Sequence, residues 1–369
     1  MYRILVLGGY GNFGARIVRS LATYPNVQLI VAGRNISKAK KIIASLDTST
    51  THEATFLDQT DKNFVNDLNS LDIDCLVHTS GPYQGQGYDV AKACINTKTH
   101  YIDLADGREF VNNFSTLDKQ AKDNNALLIT GASTLPGLSS AVIHNFNEEF
   151  KSIDSIRICI APGNQAPRGG STIDAVLTYC GKPVKCWING QWRTKYGWQD
   201  LHIHQFPNLG RRMLGLCDVP DLSLFPEKYP EVKTVLFHAA LETKISQLGF
   251  WAIAAMTRIR LIQNPNKLAP LVYKLGELTN FMGTPHGGMF VIADGVSKDN
   301  QNLELAWHLT ALNGHGPEIP TIPAIILAKK LADDKIHLRG ATACTELITL
   351  DEFDKAVEHL DISWEVVRS

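Results

Sequence analysis

The chain has 369 residues, with 36 Lys and Arg against 37 Asp and Glu and a formal net charge of −1. That length accommodates two domains with large cores, and the balanced charge offers neither a basic surplus for nucleic acid nor a like-charged tail. Seven scattered cysteines without a C-x-x-C pair fit buried, reduced thiols, and an N-terminus that runs straight into a strand pattern is too short for a signal peptide, so a cytoplasmic protein is expected.

The first third alternates with a regular beat. Apolar strands are expected over 3–7, 28–32, 54–57, 75–79, 101–104 and 126–130. Helices are expected between them, over 13–23, 37–46, 62–68, 88–96 and 111–123. Strands alternating with helices imply right-handed crossovers and a parallel, doubly wound α/β sheet of the Rossmann type.

Between the first strand and the first helix lies "GGYGNFG". Gly9, Gly11 and Gly14 fit G-x-G-x-x-G. The first glycine is assigned the tight turn, the second the close approach of a pyrophosphate, and the third the packing of helix on strand. Gly11, Asn12, Phe13 and Gly14 would then offer free N–H groups and the positive end of a helix dipole to the phosphates. After the second strand the sequence is "VAGRN", with Arg34 where a dinucleotide binder usually carries Asp or Glu, and Lys38 one turn later. A guanidinium suits a 2′-phosphate, so NADP(H) is expected rather than NAD(H). Asp58, after the third strand, is placed at the adenine or at a helix N-cap. Ser80, Gly81 and Pro82, after the fourth, leave room for the nicotinamide half, with Tyr83 projecting near its reactive end. Asp103 and Asp106 end the fifth strand and face the same crevice, or cap the next helix.

After Pro136 the beat is lost. A long strand over 155–161 is followed by "GGSTID" at 169–174, a glycine-led helix start. Asn189-Gly190 between apolar alternating runs marks a hairpin. The stretch 248–262, "LGFWAIAAMTRIRLI", is read as a buried or half-buried helix, with a lipid substrate, a partner subunit or a membrane surface as the alternatives. Strands over 288–294 and 303–311 flank a polar turn, and Thr349 with Glu352 forms a capping box opening a last helix. Three segments result: 1–138 as an NADP-binding domain, 139–318 as an α+β substrate and dimerisation domain, and 319–369 as helices returning to the first.

Several constellations carry less. Tyr88–Lys92 and Tyr229–Lys233 each form Y-x-x-x-K but lie wrongly for a short-chain dehydrogenase pair. His202 and His204 lack a third ligand at metal spacing, so no metal is expected. His286 and His315 sit in glycine- and proline-rich loops, where functional groups are often presented. Tyr83, Asp106, His286 and His315 are the candidate catalytic residues.

The segments "LVLGGYGNFG", "AGRN", "HTSGPYQGQGYDVAKACINTKTHYIDLADG" and "TLPGLSS" together resemble the saccharopine dehydrogenase-like oxidoreductases over roughly residues 2–140. The resemblance implies an NADP-type Rossmann domain followed by a second α/β domain carrying substrate and often subunit contacts, hence a homodimer. It leaves the substrate open. A polar, amino-acid-derived substrate would need cations such as Arg168, Arg193, Arg211 and Arg212, and a lipid would need the apolar helices. Two readings result: hydride transfer to or from an imine, carbonyl or enoyl carbon, or a protein that binds NADP(H) without turnover.

Overall fold

The computed structural model describes residues 1–167 and 170–369. Arg168 and Gly169, read above as a candidate cation and the start of a glycine-led turn, lie outside the described residues. The chain divides into two units, residues 1–138 with 318–356, and residues 139–317 with 357–369.

In the first unit the strands are β1 (Tyr2–Leu7), β2 (Val27–Gly33), β3 (Glu53–Phe56), β4 (Cys75–His78), β5 (His100–Asp103) and β6 (Leu127–Thr130). The helices between them are α1 (Asn12–Ala22), α2 (Ile36–Ala44), α3 (Phe64–Ser70), α4 (Asp89–Asn96), α5 (Arg108–Asn112) and α6 (Asp118–Asp123). Ile4, Leu5, Val6, Leu76, Val77 and Ile102 are fully buried, as expected of strands covered on both faces by crossover helices. The expected helix over 111–123 is instead α5 and α6 with a 3-10 turn between them.

The second unit opens with α7 (Ser139–Asn147), β7 (Phe150–Ala161), α8 (Gly170–Tyr179), β8 (Pro183–Ile188) and β9 (Gln191–Tyr196). It continues with β10 (His202–Phe206), β11 (Gly210–Leu216), α9 (Asp221–Lys228), β12 (Thr234–Ala239), α10 (Lys244–Arg258) and α11 (Ala269–Leu278). The long hairpin of β13 (Gly287–Ser297) and β14 (Asn302–Ala311) follows. The Asn189-Gly190 hairpin is formed as read: both residues have positive φ, 52° and 71°, which the two-residue turn requires.

The chain then returns to the first unit with α12 (Ile322–Ala332), β15 (Gly340–Ala343) and α13 (Leu350–Val357). Eight of the eleven α12 residues are buried, against β4, β5 and α1. β15 adds a seventh parallel strand beside β6, giving the order β15-β6-β5-β4-β1-β2-β3. The capping box closes in both directions: Thr349 N donates to Glu352 Oε2 at 2.9 Å and Glu352 N to Thr349 Oγ1 at 3.2 Å.

One expectation about this segment needs correction. The end of the chain is not helical: β16 (Ile362–Arg368) pairs antiparallel with β14, in the order β10-β11-β12-β7-β13-β14-β16 of the second unit. Ten registered backbone partners hold β13 to β14, and that long strand leaves an edge that β16 satisfies. All seven cysteines are buried and free. Among the described residues no helix is long and apolar enough to cross a membrane.

The second unit buries a carboxylate at a cost. Asp221, in the first turn of α9, is fully buried. Its Oδ1 accepts the Ser139 hydroxyl, and among the described residues its Oδ2 finds no hydrogen-bond partner. Burial pushes this carboxyl up to about 7. A folded value above the unfolded one contributes stability that is fully present below about pH 4 and is lost as pH rises through 7. Asp221→Asn removes the ionisation and keeps an acceptor for Ser139. Between pH 5 and pH 8 it is expected to gain about 2–3 kcal/mol on the parent chain, measured as the difference between the two urea unfolding curves at each pH. A constant difference across that range would show that Asp221 is already ionised in the folded state at pH 5 and that burial does not raise its carboxyl.

Candidate functional site

Parallel strands place the loops that follow them at one edge of the sheet. The strand order of the first unit runs outward from β1 through β2 and β3 on one side, and from β4 through β5 and β6 on the other. The reversal falls between β1 and β4, and ligands of open α/β sheets bind at such a point. The loops flanking it are the glycine loop and residues 79–82.

The glycine loop is built by steric necessity. Gly8 has φ +81°, and a Cβ there would stand 2.5 Å from Ser80 Oγ and 2.8 Å from Thr79 Oγ1. A Cβ at Gly14 would overlap the Gly8 carbonyl oxygen and come within 2.8 Å of Gly9 Cα, so α1 lies directly on the loop. Gly11 differs, since its Cβ would meet only Gly8 O, at 3.1 Å. The tight turn was assigned to Gly9, but it is Gly8 that carries the positive φ. Gly9 is small because its Cβ would press on Val6 O and Val31. Gly11 is the N-cap of α1 and supplies no side-chain cap. The N–H groups of Asn12, Phe13 and Gly14 therefore have no intrahelical acceptor.

Sequence reading passed over Tyr10. Its hydroxyl accepts from Asn35 N at 2.9 Å, and its ring fills the space a Gly33 side chain would take. Tyr10 thus braces the glycine loop against the end of β2, and its only signal was an aromatic residue inside a glycine motif. Next to it Asn35 caps α2 through Lys38 N at 3.0 Å. Arg34 and Lys38 are both exposed. Among the described residues Arg34 makes no hydrogen bond or salt bridge, and it exerts a small downward pull on the Asp58 carboxyl. Asp58 does not cap α3. Its Oδ1 accepts from Thr60 N at 3.0 Å and Thr60 Oγ1 at 2.8 Å, and these bonds lower its carboxyl below the usual range.

Across the switch point, Thr79 N and Thr79 Oγ1 both donate to Leu7 O, at 2.9 and 2.8 Å. Gln86 Nε2 donates to Ser80 O at 3.0 Å and Pro82 O at 2.6 Å. Ser80, Gly81 and Pro82 are therefore held open but ordered. Tyr83 departs from expectation. It is buried, and its hydroxyl donates to His78 O at 2.7 Å, so it faces its own strand and not a ligand; desolvation drives the phenol well above its ordinary value.

The two carboxylates after β5 also part company. Asp103 is fully buried and accepts from Gly131 N, Ala105 N and the Thr130 hydroxyl at 2.8–2.9 Å. Burial pushes it up to about 6, and its work is to tie β5 to β6. Asp106 is exposed and, among the described residues, accepts from Gln84 Nε2 at 3.1 Å.

In the second unit His286 and His315 prove to be joined. Asn313 N donates to His286 Nδ1 at 3.2 Å. Asn313 Nδ2 donates to Asp361 Oδ2 at 2.8 Å, and Asp361 N donates to His315 Nδ1 at 2.8 Å. Both imidazoles accept at Nδ1, so each neutral ring carries its proton on Nε2. Asp361, which completes this network from the chain's last segment, had no sequence signal. Of the candidate cations, Arg212 is buried and spent on the carbonyls of Ala161, Pro162 and His286. Arg193 bonds its strand neighbour Gln191 at 2.9 Å.

Residues 4–129 match the family model of the saccharopine dehydrogenase NADP binding domain. The fold is also similar to solved structures over the whole chain. Apo saccharopine dehydrogenase (L-Glu forming) from Saccharomyces cerevisiae is 13% identical, with 100% of both chains covered and a TM-score of 0.69. Homospermidine synthase from Legionella pneumophila, in complex with NAD, is 10% identical, with 100% of this chain and 91% of that chain covered and a TM-score of 0.62. At these identities the likeness is one of fold. A comparison with curated proteins finds no match.

Proposed function

We propose that this chain, whose residues 4–129 match the family model of the saccharopine dehydrogenase NADP binding domain, is an NADP(H)-dependent oxidoreductase acting on an imine, carbonyl or enoyl carbon of a small-molecule substrate. The observation that carries the NADP(H) reading is Arg34. It is an exposed guanidinium with no hydrogen bond or salt bridge among the described residues, at the end of β2, where no carboxylate stands to accept from a ribose.

The residues fit such a cofactor. The open Cα of Gly11 and the free N–H groups of Asn12, Phe13 and Gly14 would hold the pyrophosphate. Arg34 would take the 2′-phosphate in a bidentate manner, with Lys38 adding charge. Asp58 would edge the adenine through the carboxylate oxygen it leaves free of Thr60, and Ser80, Gly81 and Pro82 would flank the nicotinamide half. The bound cofactor would supply the hydride. Asp106, exposed after β5 and accepting from Gln84 Nε2, is the candidate for the proton in the first unit. His286 and His315, with Nε2–H as donor, are the candidates for the proton in the second unit. We also propose that the second unit carries the homodimer contact that the family resemblance implies.

Loss of NADPH absorbance tests the reading, with an oxo acid plus amine as the imine source, free aldehydes and ketones, and enoyl thioesters as separate arms. Turnover in one arm, with NADPH preferred over NADH, is the expected result. NADPH binding without turnover in any arm would favour the non-catalytic alternative, a regulatory or structural NADP(H) protein.

A further inference from the structure

The apolar segment 248–262 turns one of its faces to solvent. Between β12 and β13 the chain leaves the second sheet for residues 243–283, and the base of this excursion is clamped shut. Glu242 Oε2 accepts from Thr284 N at 2.9 Å, and Glu242 Oε1 from Thr284 Oγ1 at 2.8 Å. Thr243 caps α10 by accepting from Ser246 N.

Along α10, Ile245, Leu248, Met256 and Ile259 are exposed at spacings that put them on one stripe, with Trp251 beside it. On α11 no residue is buried, and Leu271, Leu275 and Leu278 form a second exposed stripe. Phe281, just beyond, is 83% exposed. Apolar stripes of this extent on a soluble surface mark an interaction site.

Charge selects the partner. Residues 244–282 carry Lys244, Arg258, Arg260, Lys267 and Lys274 against Glu277 alone, a surplus of four cations in a chain whose formal net charge is −1. A two-fold contact between copies sets the same patch against itself, which here would oppose that surplus with its equal. An anionic bilayer matches both features. Apolar stripes enter the acyl boundary, Lys and Arg meet the headgroups, and Trp and Tyr sit at the interface.

We propose that residues 244–282 dock this chain on an anionic lipid surface, with α10 and α11 lying in the interface and not spanning it. The proposal does not rest on the cofactor reading.

Vesicle co-sedimentation of the full chain tests it, using phosphatidylcholine alone and phosphatidylcholine with a third phosphatidylglycerol. Binding is expected only to the anionic vesicles, weakening as salt is raised. The double variant Arg260→Asn, Lys274→Gln is expected to bind about 30-fold more weakly, at roughly fivefold per basic residue. Leu248→Ser with Leu275→Ser should lose binding at unchanged circular dichroism. Absence of binding to the anionic vesicles, or equal binding to both compositions, would overturn the proposal. So would a concentration-dependent dimer that the serine variant dissolves while vesicles fail to bind, since a second copy would then be the occupant.

Discussion

Gly14→Ala is expected to cost the first unit about 2–3 kcal/mol, a fall of about 5–10 °C in its unfolding midpoint by scanning calorimetry. A methyl there would overlap the Gly8 carbonyl oxygen and crowd Gly9 Cα. Both are backbone atoms of a loop already fixed by Gly8 N to Ala32 O and Gly11 N to Gly8 O hydrogen bonds, each 2.8 Å. Better helix propensity returns about 1 kcal/mol, which the estimate includes. Gly11→Ala provides the contrast, because its methyl meets one atom at 3.1 Å. That variant should unfold within about 2 °C of the parent chain and still bind NADPH about 10–100-fold more weakly, since the methyl stands where a pyrophosphate approaches. Equal stability losses in the two variants would contradict the steric contrast, and unchanged NADPH affinity in Gly11→Ala would mean that the loop is only a turn.

Arg34→Ala is expected to weaken NADPH about 10–30-fold and to change NADH by less than about twofold. Charge-assisted hydrogen bonds are worth about 1.5–3 kcal/mol, and the lower part of that range applies to an exposed guanidinium. The position carries this effect because, among the described residues, Arg34 makes no hydrogen bond or salt bridge that a phosphate would have to displace. Asn35 is spent on Lys38 N and on the Tyr10 hydroxyl. Calorimetric titration of both dinucleotides into both proteins checks it. Equal losses for NADPH and NADH would assign Arg34 to the fold and not to the phosphate.

Much of the first unit was legible because its signals are local. β1, β2, β4 and β6 are short, largely apolar runs set off by helical periods, and the glycine loop sits at the first junction. Two adjacent glycines blurred the register of that motif, so the tight turn was assigned to Gly9 while the positive φ lies at Gly8. Tyr83 failed for a different reason. Sequence places a side chain on a loop but does not say which way it turns, and the inward choice here depends on the His78 carbonyl. β15 has four residues and pairs with a strand more than 200 positions away, so only the fold reveals it. β16 is exposed along nearly its whole length, and its short alternation, Ile362-Ser363-Trp364-Glu365-Val366, was passed over beside the stronger signal of the capped helix before it. The His286–Asn313–Asp361–His315 network spans 75 positions of sequence in the same way. The segment 248–262 is half-buried, as one form of its reading had it: Ala254 is buried and Phe250 and Ile253 are half-buried, while Leu248, Trp251, Met256 and Ile259 are exposed, and composition alone does not divide the two faces.

The central claim is that the first unit holds a phosphorylated dinucleotide at the glycine loop. Thermal unfolding of the full chain with NADPH, NADP⁺, NADH and NAD⁺, each at the same concentration, tests it most directly, because a ligand that binds only the folded state raises the midpoint by mass action. The account predicts the larger shifts with NADPH and NADP⁺ and smaller ones with NADH and NAD⁺. No shift with any of the four would contradict it.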